Sequence, residues 1–522
     1  MNTGELDDSL IQALMQPNRY PYPVSAVERL ETHISWLLLA GDYVYKIKKP
    51  VDFGFLDFSS LERRRFFCQE ELRLNRRLAP TVYLDVIPIG GSPVQPEFGC
   101  EPAIEYAVKM CRFAETDLLD HKLQQNALTN EDITALAETL AVFHAELPPA
   151  AAGSDYGTPD AIAVPARQNF EQLVRLLGTE HQPRLSALRI ASESEFQRCR
   201  LQFAERLHAG NVKECHGDLH LGNIVMLNGR PTPFDGIDFN PNLRWIDVIN
   251  DIAFLVMDLQ FRQRSDLAYG FLNAYLQYGG DYPALQVLHF YLGYRAMVMA
   301  KVGAIRSAQQ GGVENGRWQR YLQLAEDYYA PVSSRLLITK GLPGCGKTTV
   351  SQQVLEQLPA IRIRSDVERK RLFGMAAEQR SGSPIDGGIY TQAATEKTYD
   401  RLLELSRLIL QSGFSVIVDA AFLRQAERCR FADLANECGV EFMILDIDCP
   451  EPLLIQRIQR RQIQAQDASE ADLAVYRCLK AFNEPIAAQE RPYTLSIHNG
   501  EHSLAVMPDG LPLLTALQRK AK

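Results

Sequence analysis

The run Gly341-Leu-Pro-Gly-Cys-Gly-Lys-Thr348 restricts this chain more than any other eight residues in it. It fits G-x-x-x-x-G-K-[ST], follows an apolar run at 336–339 and opens a helical pattern, so strand, loop and helix come in that order. Glycines let main-chain N–H groups converge on phosphate oxygens, and a helix that follows adds the positive end of its dipole. Gly341, Gly344 and Gly346 would form that cradle, with Lys347 reaching the β- and γ-phosphates of ATP. Thr348 offers a hydroxyl to Mg²⁺, and Thr349 joins the nucleotide contacts. Strand-like segments at 336–340, 361–364, 415–418, 442–446 and 494–497 alternate with helical ones. That alternation predicts an α/β domain of the P-loop NTPase class on a parallel sheet.

Two carboxylates stand where the second and third of these strands end, Asp366 and Asp419. Strand C-termini form the ligand-binding edge of an open α/β sheet, so one carboxylate can serve as base toward an acceptor hydroxyl and the other can hold Mg²⁺. Either could instead only cap its helix. Arg457, Arg460 and Arg461 fall on one short helix, as a lid over phosphates or as a solvated basic face. The motifs GLPGCGKT, SDVERKRLFG, VDAAFLR and CPEPLLIQRIQRR make residues 335–500 resemble the small P-loop kinases. That group includes polynucleotide 5′-kinases, gluconate kinases, antibiotic-phosphorylating enzymes and zeta-type toxins. The resemblance implies phosphoryl transfer with Asp366 toward the acceptor, leaving Asp419 to the metal. Cys345 sits beside Lys347 as a small filler or an oxidisable thiol.

A second constellation lies upstream. His216-Gly-Asp-Leu-His-Leu-Gly-Asn223, followed by Asp238 in Ile237-Asp-Phe239, has the spacing of a kinase catalytic loop. Asp218 is the base, and Asn223 and Asp238 are the Mg²⁺ ligands. Alternation along a strand at 43–48 puts Lys46 and Lys48 on one face, with Lys46 preferred for the α/β-phosphates. Glu70 and Glu71 on a helix at 60–78 are the candidate partners, and Glu71 borders the buried stripe. HGDLHLGNI followed by GIDF resembles the aminoglycoside phosphotransferase and choline-kinase group over residues 25–330, which implies an α+β, two-lobed, kinase-like fold. The same resemblance supports Lys46, Glu71, Asp218, Asn223 and Asp238 in the roles just given. No GxGxxG covers the phosphates, and residues 51–67 read as an insertion between the lysine strand and the glutamate helix. Asp247 and Asp251 read as braces of the catalytic loop, and Asp235 as a rival to Asp238.

A chain of 522 residues exceeds one ordinary core. The expected division is 1–332 and 333–522, with a cut near Ser333 yielding two independently folded parts. From Pro331 onward there are 24 Lys and Arg against 23 Asp and Glu, leaving 31 against 41 before it. Neither half has the basic excess of a general nucleic-acid binder. Nucleic acid is open only to the C-terminal domain, through Arg362, Arg364, Arg369, Lys370 and Arg371. Ten cysteines without a CxxC pair suggest neither a zinc site nor a disulfide framework, and the acidic N-terminus lacks signal-peptide features. A cytoplasmic enzyme without a membrane partner is expected. The two resemblances together match a bacterial type that joins an aminoglycoside phosphotransferase to an ATP-binding protein. The leading expectation is an ATP- and Mg²⁺-dependent kinase with two nucleotide sites and hydroxyl-bearing small-molecule acceptors. The alternatives are a polynucleotide or nucleotide-sugar kinase in the C-terminal half, and an ATP-sensing regulator with one non-catalytic site.

Overall fold

Gly41, at φ 59°, turns the chain between two strands that the sequence predicts on either side of it. In the computed structural model these are β2 (Ser35–Ala40) and β3 (Tyr43–Lys48), preceded by α1 (Thr3–Leu14) and β1 (Val27–Glu31). The structure describes residues 3–54, 56–309, 316–377, 379–381, 387–464 and 471–500, apart from the side chains of 3–8 and 461–464. The lobe continues through α2 (Leu61–Asn75), β4 (Tyr83–Ser92), β5 (Gln95–Phe98) and β6 (Glu105–Cys111). Its six strands form an antiparallel sheet in the order β1-β2-β3-β6-β4-β5. Strand alternation sends Tyr45 and Ile47 into a core with Leu10 and Leu14 of α1. The opposite face, with Val82, Tyr83, Val108 and Met110, packs under Cys68 of α2. Val44, Lys46 and Lys48 therefore face α2.

Next come α3 (Leu119–Gln124), α4 (Asn130–Glu146), α5 (Pro159–Leu176), α6 (Gln182–His208), β7 (Val212–Glu214), β8 (Ile224–Leu227), β9 (Arg230–Pro233), β10 (Trp245–Asp247) and α7 (Val248–Phe261). The pairs β7–β10 and β8–β9 are short antiparallel ribbons. A proline-rich stretch at 148–165 reads as a loop in the sequence, yet from Pro159 it is helix, because proline suits a first helical turn.

Three helices follow, α8 (Ser265–Gly279), α9 (Leu285–Gln309) and α10 (Arg317–Tyr329). The last third holds β11 (Arg335–Lys340), α11 (Lys347–Gln357), β12 (Ala360–Arg364), α12 (Ser365–Leu372), α13 (Gln392–Gln411), β13 (Ser415–Asp419), α14 (Gln425–Cys438), β14 (Glu441–Asp448), α15 (Glu451–Gln464), α16 (Leu473–Lys480) and β15 (Thr494–His498). The sheet is wholly parallel, in the order β12-β13-β11-β14-β15, as the alternating pattern predicts. Leu337, Val350, Val354, Ile417 and Leu445 lie at the centre of its core.

The chain forms two compact units, Met1–Gln168 with Phe203–Asp258, and Asn169–Gln202 with Leu259–Lys522. A cut near 333 does not separate these units, because α8 to α10 belong with the P-loop sheet. Helix α8 packs on α11 and β12. Among the described residues no helix is long and apolar enough to cross a membrane.

Candidate active sites

In the first unit Glu71 is the centre of a buried charge cluster. Ser60 caps α2 by accepting the N–H of Arg63, and the helix then carries Glu71 over the inner face of β3. One Glu71 oxygen lies 2.8 Å from Lys46 Nζ and the other 2.8 Å from Lys48 Nζ. Lys46 also meets Asp235 at 2.6 Å, while Lys48 pairs with Asp238. Burial by itself would raise the Glu71 carboxyl, but the two ammonium groups outweigh it and bring it down to about 2. Burial wins at Asp238, whose carboxyl is pushed up despite Lys48. The two lysines differ in surroundings. Lys48 is enclosed, its ammonium 4.8 Å from the centre of the buried Phe58 ring, whereas Lys46 keeps 12% of its side chain exposed.

The structure corrects the reading of 51–67 as an insertion. Residues 61–67 are the first two turns of α2, and Phe58 is the lid on Lys48. Arg64 in those turns forms a buried pair with Glu105, its Nε 2.8 Å from one carboxylate oxygen. Glu70 turns away from the lysines to Arg73 and Arg244. Arg244 also donates to the Asp238 carbonyl at 2.9 Å and to Glu214 at 3.1 Å, tying α2 to the segment before His216.

The loop 216–223 is held by acids of α7. Asp251 accepts the main-chain N–H groups of His216 and Gly217 at 3.0 and 2.8 Å, and Asp258 accepts that of Leu221 at 3.0 Å. Asp247 instead pairs with Arg206 and caps α7 through the N–H of Ile249. Asn223 Nδ2 donates to the Asp218 carbonyl and carboxylate, each at 3.0 Å, and His220 Nε2 lies 3.6 Å from the same carboxylate. Asp235 occupies a left-handed turn at φ 60° with its N–H on the Tyr83 hydroxyl, so it differs from Asp238 in backbone as well as partner. His144, Cys215 and Asp251 come close enough together to hold a metal. Their atoms are otherwise committed: His144 and two main-chain N–H groups use Asp251, and burial keeps the thiol protonated.

In the second unit Gly341, Gly344 and Gly346 all have positive φ, at 155°, 83° and 93°. A Cβ at Gly341 would lie 2.6 Å from the main-chain carbonyl of Ile447, and one at Gly346 would sit at φ 93° and 2.1 Å from Asn499 Nδ2, displacing that amide, so a side chain is strained at either. Lys347 begins α11 and its Nζ donates to the carbonyls of Gly341 and Leu342 at 2.9 and 3.1 Å. Thr348 Oγ1 donates to Asp419 Oδ2 at 2.8 Å. Thr349 lies one place further on in α11. Asp366 is half-exposed in the first turn of α12 and has no side-chain partner among the described residues. Arg457 lies on α15 near Cys449 and Asn499. Arg461 is in the same helix, and its side chain falls outside the described residues. Cys345 is buried, which raises its thiol.

Asn499, absent from the sequence-based candidates, donates from Nδ2 to the Cys345 carbonyl at 2.7 Å while its own N–H bonds Asp448. A lone Asn-Gly after the last strand reads as a turn, and only the parallel sheet brings it to the P-loop. Of the five cations considered for nucleic acid, Arg369 and Lys370 are buried on main-chain carbonyls, and Arg371 pairs with Glu368.

Two folds and two sets of residues thus define a phosphotransferase enzyme of the kinase type. The phosphotransferase enzyme family model matches residues 101–288, and an AAA-domain model matches 336–486. An uncharacterised protein of Mycobacterium tuberculosis (strain H37Rv) is 32% identical over 407 residues, 75% of this chain and 78% of the relative. The chain belongs to one family with that protein; in this chain a kinase-like phosphotransferase domain precedes a P-loop kinase domain. Among solved structures, choline kinase from Cryptosporidium parvum is similar at 12% identity and TM-score 0.39, covering 62% of this chain and 95% of the other. The adenylylsulfate (APS) kinase of Mycobacterium tuberculosis, in complex with AMPPNP and APS, is similar at 16% identity and TM-score 0.25, covering 36% and 99%.

Proposed function

We propose that this chain is a bifunctional ATP-dependent kinase whose two units each transfer a γ-phosphoryl group to the hydroxyl of a small molecule. The observation that carries the reading is that one chain holds two separate charge arrangements suited to phosphates. One is Lys46, Lys48, Glu71 and Asp238 beside Asp218 and Asn223, and the other is Lys347, Thr348 and Asp419 at the P-loop.

In the first unit Asp218 accepts the proton of the acceptor hydroxyl, held by Asn223, and Lys46 meets the phosphates from the open side of the cluster. Lys48 stays with Glu71 and Asp238 as the fixed charge behind it. In the second unit Lys347 and the loop N–H groups hold the β- and γ-phosphates, and Arg457 approaches them from α15. Asp366 takes the acceptor hydroxyl. The oxygen donors fit a hard cation: Asn223 with Asp238, and Thr348 with Asp419, would hold Mg²⁺, whose chemistry when bound is to neutralise phosphate charge.

A polynucleotide acceptor for the second unit is less well supported, since Arg369, Lys370 and Arg371 already serve internal partners. The test uses the full chain in four forms, wild type, Asp218→Asn, Lys347→Ala and the double variant, screened for ATP consumption against hydroxyl-bearing metabolites. Each single variant is expected to lose one acceptor activity by at least a hundredfold, about 3 kcal/mol in barrier, and to keep the other. Asp218→Asn should still bind ATP. If Lys347→Ala alone removes every phosphorylated product, the two-kinase reading fails.

A further inference from the structure

Strand β12 is the edge of the parallel sheet, and the outward groups of an edge strand lack a ladder partner. Here one side chain supplies partners for two of those groups. Asn273 of α8 donates from Nδ2 to the Ala360 carbonyl at 2.9 Å, and its Oδ1 accepts the N–H of Arg362 at 2.6 Å. The amide offers a donor and an acceptor on the spacing of residues i and i+2, which is what a neighbouring strand would offer. Ala360 is buried and Asn273 is only 7% exposed, so water does not substitute.

A second anchor holds the other end of the same corner. Arg371, in the last turn of α12, donates to the Gln277 carbonyl of α8 at 2.6 Å while pairing with the buried Glu368. Gly280, at φ 74°, ends α8 against this guanidinium, where a Cβ would lie 2.7 Å from Nε. Between the two anchors lie the end of β12 and the first turn of α12, which carries Asp366.

We propose that Asn273 and Arg371 are positioning residues for the acceptor side of the P-loop site, and that α8 is therefore a working part of that site. The glycine loop ahead of α11 is held by other elements, Gly341 N–H bonding the Ala421 carbonyl and Asn499 the Cys345 carbonyl, although α8 also packs on α11. Loosening α8 should displace Asp366 more than the glycine loop at 341–346. This rests on the reading of the second unit as a kinase.

The experiment uses the full-length chain with Asn273→Leu, Asn273→Asp and Arg371→Gln. Hydrogen–deuterium exchange in 360–372 is expected to quicken at least tenfold in Asn273→Leu, with 341–346 changing less than twofold. Asn273→Asp, which keeps the acceptor for Arg362 and loses the donor, should fall between it and wild type. For Lys347-dependent ATP turnover, kcat should drop at least tenfold while the KM for ATP stays within threefold, a split that general loss of stability does not produce. The proposal is overturned if exchange and kcat stay within twofold of wild type in Asn273→Leu and Arg371→Gln, or if KM and exchange at 341–346 rise together with them. A chain with no Lys347-dependent turnover in any form defeats the kinase reading, and the exchange pattern still decides whether α8 holds the corner.

Discussion

Asp251 is fully buried, and it accepts the main-chain hydrogens of both His216 and Gly217. Burial alone would raise its carboxyl, but the bond to His144 and those from the loop bring it down to about 2. Its value in the folded chain thus lies below the ordinary aspartate value of about 4. The stability it contributes is present above pH ~4 and is lost as the pH falls toward 2. Asp251→Ala strands two buried donors at about 1–3 kcal/mol each, so a loss of roughly 2–6 kcal/mol is expected at pH 7. Urea unfolding should show the gap between the two proteins constant from pH 7 to about 4.5 and narrowing below that. A gap that does not depend on pH would mean that Asp251 does not act as an anion. Sequence spacing marked Asp247 and Asp251 alike as braces, and only the tertiary structure shows that Asp251 holds the loop while Asp247 turns to Arg206. Spacing could not rank Lys46 against Lys48. Both point to one face, and Phe58, folded back from the next loop, lies over Lys48 while Lys46 keeps 12% of its side chain exposed.

Among the elements, the turn between β13 and α14 shows strain held in place by a buried ion pair. Phe422 has φ 45°, a conformation costly for a bulky residue. Arg428 of α14 donates to the carbonyls of Phe422 and Leu423 at 3.0 and 3.2 Å and to both oxygens of Glu490 at 2.8 and 2.9 Å. The Tyr399 hydroxyl takes the Phe422 N–H. This corner follows Asp419 directly and bonds Gly341 of the P-loop through Ala421, so its shape sets part of the site. Arg428→Met leaves Glu490 buried without its partner and should cost about 3–5 kcal/mol in urea unfolding. The double variant Arg428→Met with Glu490→Leu should regain a large part of that loss, because no lone charge remains. Equal losses in the single and double variants would place the cost in the freed carbonyls instead. The strands around this corner were legible from their apolar runs, which are short and bounded by turn residues. The ion pair was not, since 62 residues separate its members.

For the whole molecule, the compact units are interleaved along the chain, and the helices before residue 331 belong with the sheet after it. Nicking the chain between Pro331 and Ser334 should therefore give fragments that stay together on gel filtration in native buffer and part only in denaturant. Two folded fragments eluting separately would restore the simple division at 333. That division looked natural because the break near 331 is real in the pattern: helical periodicity stops and strand alternation begins. Periodicity reports what each segment buries, not which segment buries it. By itself the sequence determined the two folds and the parallel sheet. Each of these depends on local order: glycine where φ must be positive, lysine and acids at fixed offsets, apolar residues at period two or 3.6. The tertiary structure alone decided that Lys48 is enclosed, that Asn499 meets the P-loop and that Asn273 completes β12. Each of those is a contact between distant segments, and its strength comes from the removal of water around both partners, which no single stretch of sequence can express.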